Sequence, residues 1–156
     1  MTNPDSALIL FDRAIALDSS YHLPIQNKAN LLIDQRRYEE ALLAVEQLLT
    51  KEEYPEALQI RGMLIDKLGT SAADAQHSYR KALAHQQERL ATLPEDKKLS
   101  ENVSLSMTYF LLGDTTQAKK IIQENKTKGN NLAIGDSILK YLDNKPRIID
   151  LILKSN

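Results

Sequence analysis

The sequence predicts an all-α protein of about nine helices stacked as antiparallel pairs, and three observations carry that reading. Strand signals are nearly absent: aromatics make up 5% of the chain, and alternating apolar and polar runs are hard to find. Apolar residues recur instead at intervals of three and four from one end to the other. Sets of them repeat 34 positions apart, the mark of units that bury a face by stacking on copies of themselves.

The elements follow in order. Asn3 and Pro4 suit a cap and first turn, and Ala7, Phe11, Ala14 and Ile15 share one face, giving a helix from Pro4 to Asp18. Pro24 opens the next, with Ile25, Ala29, Leu32 and Ile33 as its stripe and Gln35-Arg36-Arg37 as its break. Tyr38 to Thr50 and Pro55 to Leu68 are helical, Gly69 closes the second of these, and Thr70 or Ser71 caps the one that follows. That helix runs from about Ala72 to Leu93, and the charged run from Pro94 to Lys98 is expected to be a solvated loop. Helices over Leu99 to Leu112 and Thr116 to Lys126 flank a Gly113-Asp114-Thr115 turn. After a linker to Asn131, helices near Leu132 to Leu142 and Pro146 to Lys154 form a divergent hairpin over residues 131–155.

The repeat is visible by subtraction. Ala7, Ala41 and Ala75 lie 34 apart, as do Phe11, Val45 and Tyr79, and Ala14, Leu48 and Ala82. In the other helix of each pair, Ile25 and Leu58, Ala29 and Gly62, and Leu32 and Ile65 are 33 apart. Large, small and large residues at the spacing of Ile25-Ala29-Leu32 and Leu58-Gly62-Ile65 resemble the first helix of a tetratricopeptide repeat. Asn102-Ser106-Tyr109 fits except at its first place, and Ala7-Phe11-Ala14, Ala41-Val45-Leu48, Ala75-Tyr79-Ala82 and Ala118-Ile122-Asn125 match the second helix. The resemblance covers residues 6–125 of a single domain spanning 1–156, and it implies a right-handed superhelical stack. Lys28 and Arg61 depart from it, standing where the family has a buried leucine that only Leu105 keeps. Ser19 and Glu53 stand where proline usually ends a repeat, and Ala75 to Ala118 spans 43 rather than 34.

Composition excludes several functions. With 20 basic and 21 acidic residues the net charge is −1, so no summed field draws nucleic acid. No uncharged apolar run of about 18 residues exists to span a bilayer. Cysteine is absent, which removes disulfides, thiolate nucleophiles and Cys-based zinc sites. The N-terminus carries no leader pattern, so the expected location is cytoplasmic, with an exported soluble domain freed of its signal as the alternative. Gly135-Asp136-Ser137-Ile138 has the letters of an esterase nucleophile block, but no histidine follows His85 to act as its base. His22, His77 and His85 do not share a helical face, so no metal site is expected. Asn102-Val103-Ser104 and Asn125-Lys126-Thr127 match glycan triplets by chance. No enzyme activity and no cofactor are expected.

The resemblance also implies a concave groove lined by first helices. Residues between the packing columns would face it: Gln26, Asn27, Asn30 and Asp34; Gln59, Ile60, Met63 and Lys67; Ser100, Ser104, Met107 and Leu111. Amides can pair with both groups of a peptide backbone and methionine adapts to varied side chains. Gln26, Asn27, Asn30, Gln59, Met63, Ser104 and Met107 are therefore the candidate peptide-binding residues, and the expected function is a protein- or peptide-binding scaffold. Gln26 and Glu56 stand where the family's chaperone-tail receptors need cations. The alternative is a self-associating module, or a piece of a larger repeat or lipoprotein-type protein used for assembly. At the N-terminus, Leu8, Phe11, Ile15 and Leu17 exceed what one neighbour covers, so an upstream segment or a second copy is expected against that helix. Ile148, Ile149, Leu151, Ile152 and Leu153 spread around the last helix, which suits burial on two sides.

Overall fold

A computed structural model describes residues 4–18, 22–127 and 133–154. Among these it contains nine helices and no strand: α1 (Pro4–Leu17), α2 (His22–Asp34), α3 (Tyr38–Leu49), α4 (Pro55–Leu68), α5 (Ala72–Thr92), α6 (Glu95–Leu112), α7 (Thr115–Thr127), α8 (Ala133–Lys140) and α9 (Lys145–Ile152). The expected cap at Asn3, the departure at Ser19 and the linker over 128–131 fall outside the described residues.

Local chemistry explains the boundaries. Arg36 takes a left-handed backbone, with φ of 60°, and turns the chain between α2 and α3. Pro55 sits in the first turn of α4, where its missing amide hydrogen costs nothing. Gly69 closes α4 at φ 67° and Gly113 closes α6 at φ 91°, conformations in which a side chain would be strained. Ser71 caps α5 by accepting a hydrogen bond from the Asp74 amide, and Asn144 does the same for α9 through Arg147.

The run after Pro94 corrects the sequence expectation. Glu95 to Lys98 is the first turn of α6 rather than a loop, with the Lys97 and Lys98 amides bonded back to the Pro94 carbonyl. Pro94 presets the entry, acidic Glu95 and Asp96 meet the positive end of the helix, and Lys98 pairs with Glu95 one turn away. A charged run is as compatible with a helix start as with a loop.

Consecutive helices joined by short connections pack side by side from α1 through α7, which requires the chain to reverse at each turn. The columns read from the sequence over α3 and α5 lie in the core. Ala41, Val45 and Leu48 of α3 and Ala75, Tyr79 and Ala82 of α5 are all buried. α4 and α5 approach closely: a Cβ on Gly62 would stand 2.8 Å from Cδ1 and Cζ of Tyr79, and nearer still to Cε1. The long α8–α9 segment then folds back, α8 onto α6 and α9 onto α4, and Ile138, Ile148, Ile149 and Leu153 join the same core cluster as Leu8, Ile25 and Leu64.

Gly62→Ala is expected to destabilise the protein by roughly 1–2 kcal/mol, because overpacking costs about 1–3 kcal/mol while alanine's better helix propensity returns about 1 kcal/mol. Urea denaturation measures it. A stability gain would mean that the ring of Tyr79 yields freely.

Candidate functional site

The expected groove residues fall into two sets. On α2, Gln26 and Asn27 are exposed and Asn30 is half-buried, and among the described residues none of their side chains makes a hydrogen bond. Gln26 and Asn30 border a cavity of about 40 Å³ shared with Tyr54, Glu56 and Ile60. Burial, and then the nearby Glu56 and Glu52 carboxylates, push the Tyr54 hydroxyl above its ordinary pKa, so it stays a neutral donor at the cavity edge.

The set on α4 and α6 lies in the interior instead. Gln59, Met63 and Met107 are buried, which corrects the expectation that they form an open floor. The Gln59 amide nitrogen donates to the Ser104 carbonyl at 3.0 Å and to the Thr108 hydroxyl at 2.6 Å, so both of its hydrogens are committed. The Thr108 hydroxyl donates to the Gln86 side-chain oxygen at 2.6 Å, and the Gln86 amide nitrogen donates to the Ser104 hydroxyl at 2.7 Å. Ser104 is therefore a link in a closed polar chain joining α4, α5 and α6, not a ligand-facing hydroxyl. The physical reason is proximity: an amide at a helix contact is satisfied by the carbonyls and hydroxyls it meets there. Met63, Met107 and Leu111 lose solvent because they share a core with Ile138 of α8 and Ile148, Ile149 and Leu153 of α9.

The hairpin that fills this part of the face is pinned by charge. Lys145 of α9 lies 2.5 Å from Asp66 of α4 and sits over the Tyr79 ring at 4.8 Å, while the Tyr79 hydroxyl donates to the same carboxylate at 2.8 Å. Burial, reinforced by that bond, holds the Tyr79 proton far above its ordinary range. Asp150 of α9 pairs with Lys67 at 2.5 Å. Lys67's hydrogen bond, outweighing the opposing effect of burial, lowers the Asp150 pKa and raises that of Lys67. Nothing local in the sequence signals the pairs Asp66–Lys145 and Lys67–Asp150, because 79 and 83 positions separate their members.

A larger cleft of about 380 Å³ lies between α3, α4 and α5, lined among others by Glu46, Glu53, Arg61, His77 and Lys81. Its cations are matched to carboxylates already present: Arg61 pairs with Glu46 at 3.0 Å and Lys81 with Glu53 at 2.6 Å. His85 approaches Glu53 at 3.7 Å, while His22 stands at the start of α2. No group of three or more potential metal ligands is gathered among the described residues. Gly135 to Ile138 lies inside α8, where a Cβ on Gly135 would stand 3.2 Å from Ile122, so packing accounts for the glycine. Asn125 is buried with its amide on the Leu99 carbonyl, closed to a glycan. No described helix is long and apolar enough to cross a membrane.

Compared with protein-family models, curated proteins and solved structures, the chain matches none.

Two expectations follow from this geometry. Thr108→Val keeps the shape but leaves Gln59 and Gln86 short of a partner, so chemical denaturation should show a loss of about 1–3 kcal/mol with helix content unchanged. An unaltered midpoint would show that the amides find other partners. The Asp150 pKa is depressed, so the stabilisation from its pair with Lys67 is present above the ordinary aspartate value and lost as pH falls through the depressed one. Methyl NMR signals of Ile148 and Ile149 should therefore hold from neutral pH downward and shift only below the ordinary aspartate range. In Asp150→Asn that acid step should vanish.

Proposed function

We propose that the chain is a protein- or peptide-binding scaffold of the tetratricopeptide type, gripping a partner segment along the α2 face that carries Gln26, Asn27 and Asn30. The observation that carries this reading is the seating of the chain's own α9 against α4 and of α8 against α6. The face built by these helices takes up a helical segment through an apolar floor and charged rims, and its α2 end keeps amides that no described residue engages. Asn27 and Asn30 supply donors and acceptors for a backbone, and Ile60 and the Tyr54 ring supply apolar contact. Binding rather than catalysis is supported by the paired state of the charges in the cleft between α3, α4 and α5, which leaves no activated nucleophile and base side by side there.

The test uses peptides selected by display against the whole protein. Loss of one buried amide partner costs about 1–3 kcal/mol, so the double variant Asn27→Ala, Asn30→Ala should bind them roughly ten-fold or more weakly. Unchanged affinity would remove the α2 face as the site.

A further inference from the structure

Tyr38, Tyr54, Tyr109 and Tyr141 are all half-buried, so exposure does not separate these four phenols. Charge does. The ring of Tyr38 has the Lys67 ammonium 5.8 Å away, but that cation is already paired with Asp150. Tyr54 has its pKa raised by burial and by Glu56 and Glu52. The Tyr109 hydroxyl accepts a hydrogen bond from the neutral Gln87 amide at 3.2 Å. Tyr79, the fifth described tyrosine, is buried and donates to Asp66.

Tyr141 is the exception. The Lys140 ammonium stands 5.2 Å and the Arg147 guanidinium 5.9 Å from its ring centroid, and neither cation makes an ion pair among the described residues. The turn between α8 and α9 builds this arrangement. Lys140 ends α8, the Asn144 amide donates to the Tyr141 carbonyl at 2.9 Å, and the Asn144 side chain caps α9 at the Arg147 amide. Helical side chains lean toward the N-terminus, so Arg147, in the first turn of α9, leans back over the turn toward Tyr141. Arg147's charge also acts on Asp150, whose hydrogen-bonded partner is Lys67. Lys140 above all, and then Arg147, hold the Tyr141 phenol below its ordinary pKa by hydrogen bonding and charge, against the opposing effect of burial.

We infer that Tyr141 is a covalent modification site, the most nucleophilic of the described phenols, which takes a phosphoryl group from a donor whose leaving group is an anion. The phenolate is the attacking form, and adjacent cations raise its share. In the step the Tyr141 oxygen forms a bond to phosphorus, the bond from phosphorus to the leaving group breaks, and that group departs with the electron pair. The phenol proton passes to solvent. Negative charge grows on the phosphoryl oxygen and on the leaving group as this happens, and the Lys140 ammonium and Arg147 guanidinium, which no described carboxylate neutralises, stand beside it. Tyr54 and Tyr79 lie beside carboxylates, which oppose both effects.

The probe is a dialkyl phosphorofluoridate, from which fluoride leaves, reacted with the whole protein near neutral pH and followed residue by residue by peptide mass spectrometry. Tyr141 is expected to react roughly ten-fold or more faster than Tyr38, Tyr54 and Tyr109. Lys140→Gln and Arg147→Gln should each slow it and together remove its lead, whereas Lys126→Gln, at a cation already paired with Asp136, should leave it unchanged. Lys140 and Arg147 are exposed, so the fold should survive, and a dichroism melt checks that it does. A free peptide of residues 137–147 keeps the local sequence without the docked hairpin, and its tyrosine should react more slowly than Tyr141 in the folded protein. Equal rates at the four half-buried tyrosines overturn the proposal. So does a lead that survives in the double variant or undiminished in the peptide, which would assign it to exposure, and so does equal slowing by all three substitutions, which would assign it to net charge.

Discussion

The position of Tyr79 is the constraint on which the other parts of the structure depend. Its ring is fully buried against a helix that must carry glycine at 62, its hydroxyl reaches Asp66, and Asp66 in turn holds Lys145, which lies over the same ring. One side chain thus joins the repeat core to the C-terminal hairpin. The contacts support one another: a tyrosine kept neutral by burial donates to a carboxylate that also pairs with Lys145. A phenylalanine would fill the same space but leave Asp66 with the lysine alone.

The repeat interfaces away from Tyr79 are closed differently. Lys28 to Asp12 and Arg61 to Glu46 are the same contact one repeat apart, each running from a first helix back to the second helix before it. These pairs are partly solvated, and such pairs contribute little stability, so they fix register while Ala, Val and Leu columns supply the burial. At α6 the pattern stops. Leu105 has no charge to offer, and the closed chain of Gln59, Thr108, Gln86 and Ser104 joins α6 to α5 and α4, beside Arg89 of α5, which pairs with Glu101 of α6 and Glu56 of α4. The longer α5 and the changed spacing before α7 coincide with this addition of buried amides.

Which parts were legible in the sequence follows from the range of the interactions. Helices stand out because their apolar intervals are local, and Gly69, Ser71 and Pro55 mark their ends through backbone chemistry that acts over one turn. The start of α6 was missed because Glu95 to Lys98 is polar all round, so periodicity had nothing to show and only the acidic first turn signalled a helix. On the candidate face, Gln26, Asn27 and Asn30 stand near the surface as expected, while Gln59, Met63 and Met107 do not. Gln59 is closed off by α6, and the two methionines by a hairpin that folds back from beyond α7, and no pattern within α4 or α6 encodes either. The one legible trace was in α9 itself, whose apolar residues surround the helix; Ile148, Ile149 and Leu153 are buried, with Leu151 and Ile152 packed against the cluster.

The length of α9 bears on how the face works. Eight residues are too few to hold a helix in water, because nucleation is costly and isolated helices shorter than about 12–15 residues are marginal. Its helical form therefore depends on being docked, and docking and ordering are one event. Asn144 and Pro146 bias the first turn, the isoleucines supply the burial, and Lys145 and Asp150, meeting Asp66 and Lys67 respectively, set direction and register. Segments held this way sit at the low end of local stability, opening before the repeat core does. A face that orders a short segment of its own chain by apolar floor and charged rim has the means to order one from elsewhere, and the unengaged amides of α2 lie beyond the reach of the hairpin's own ion pairs.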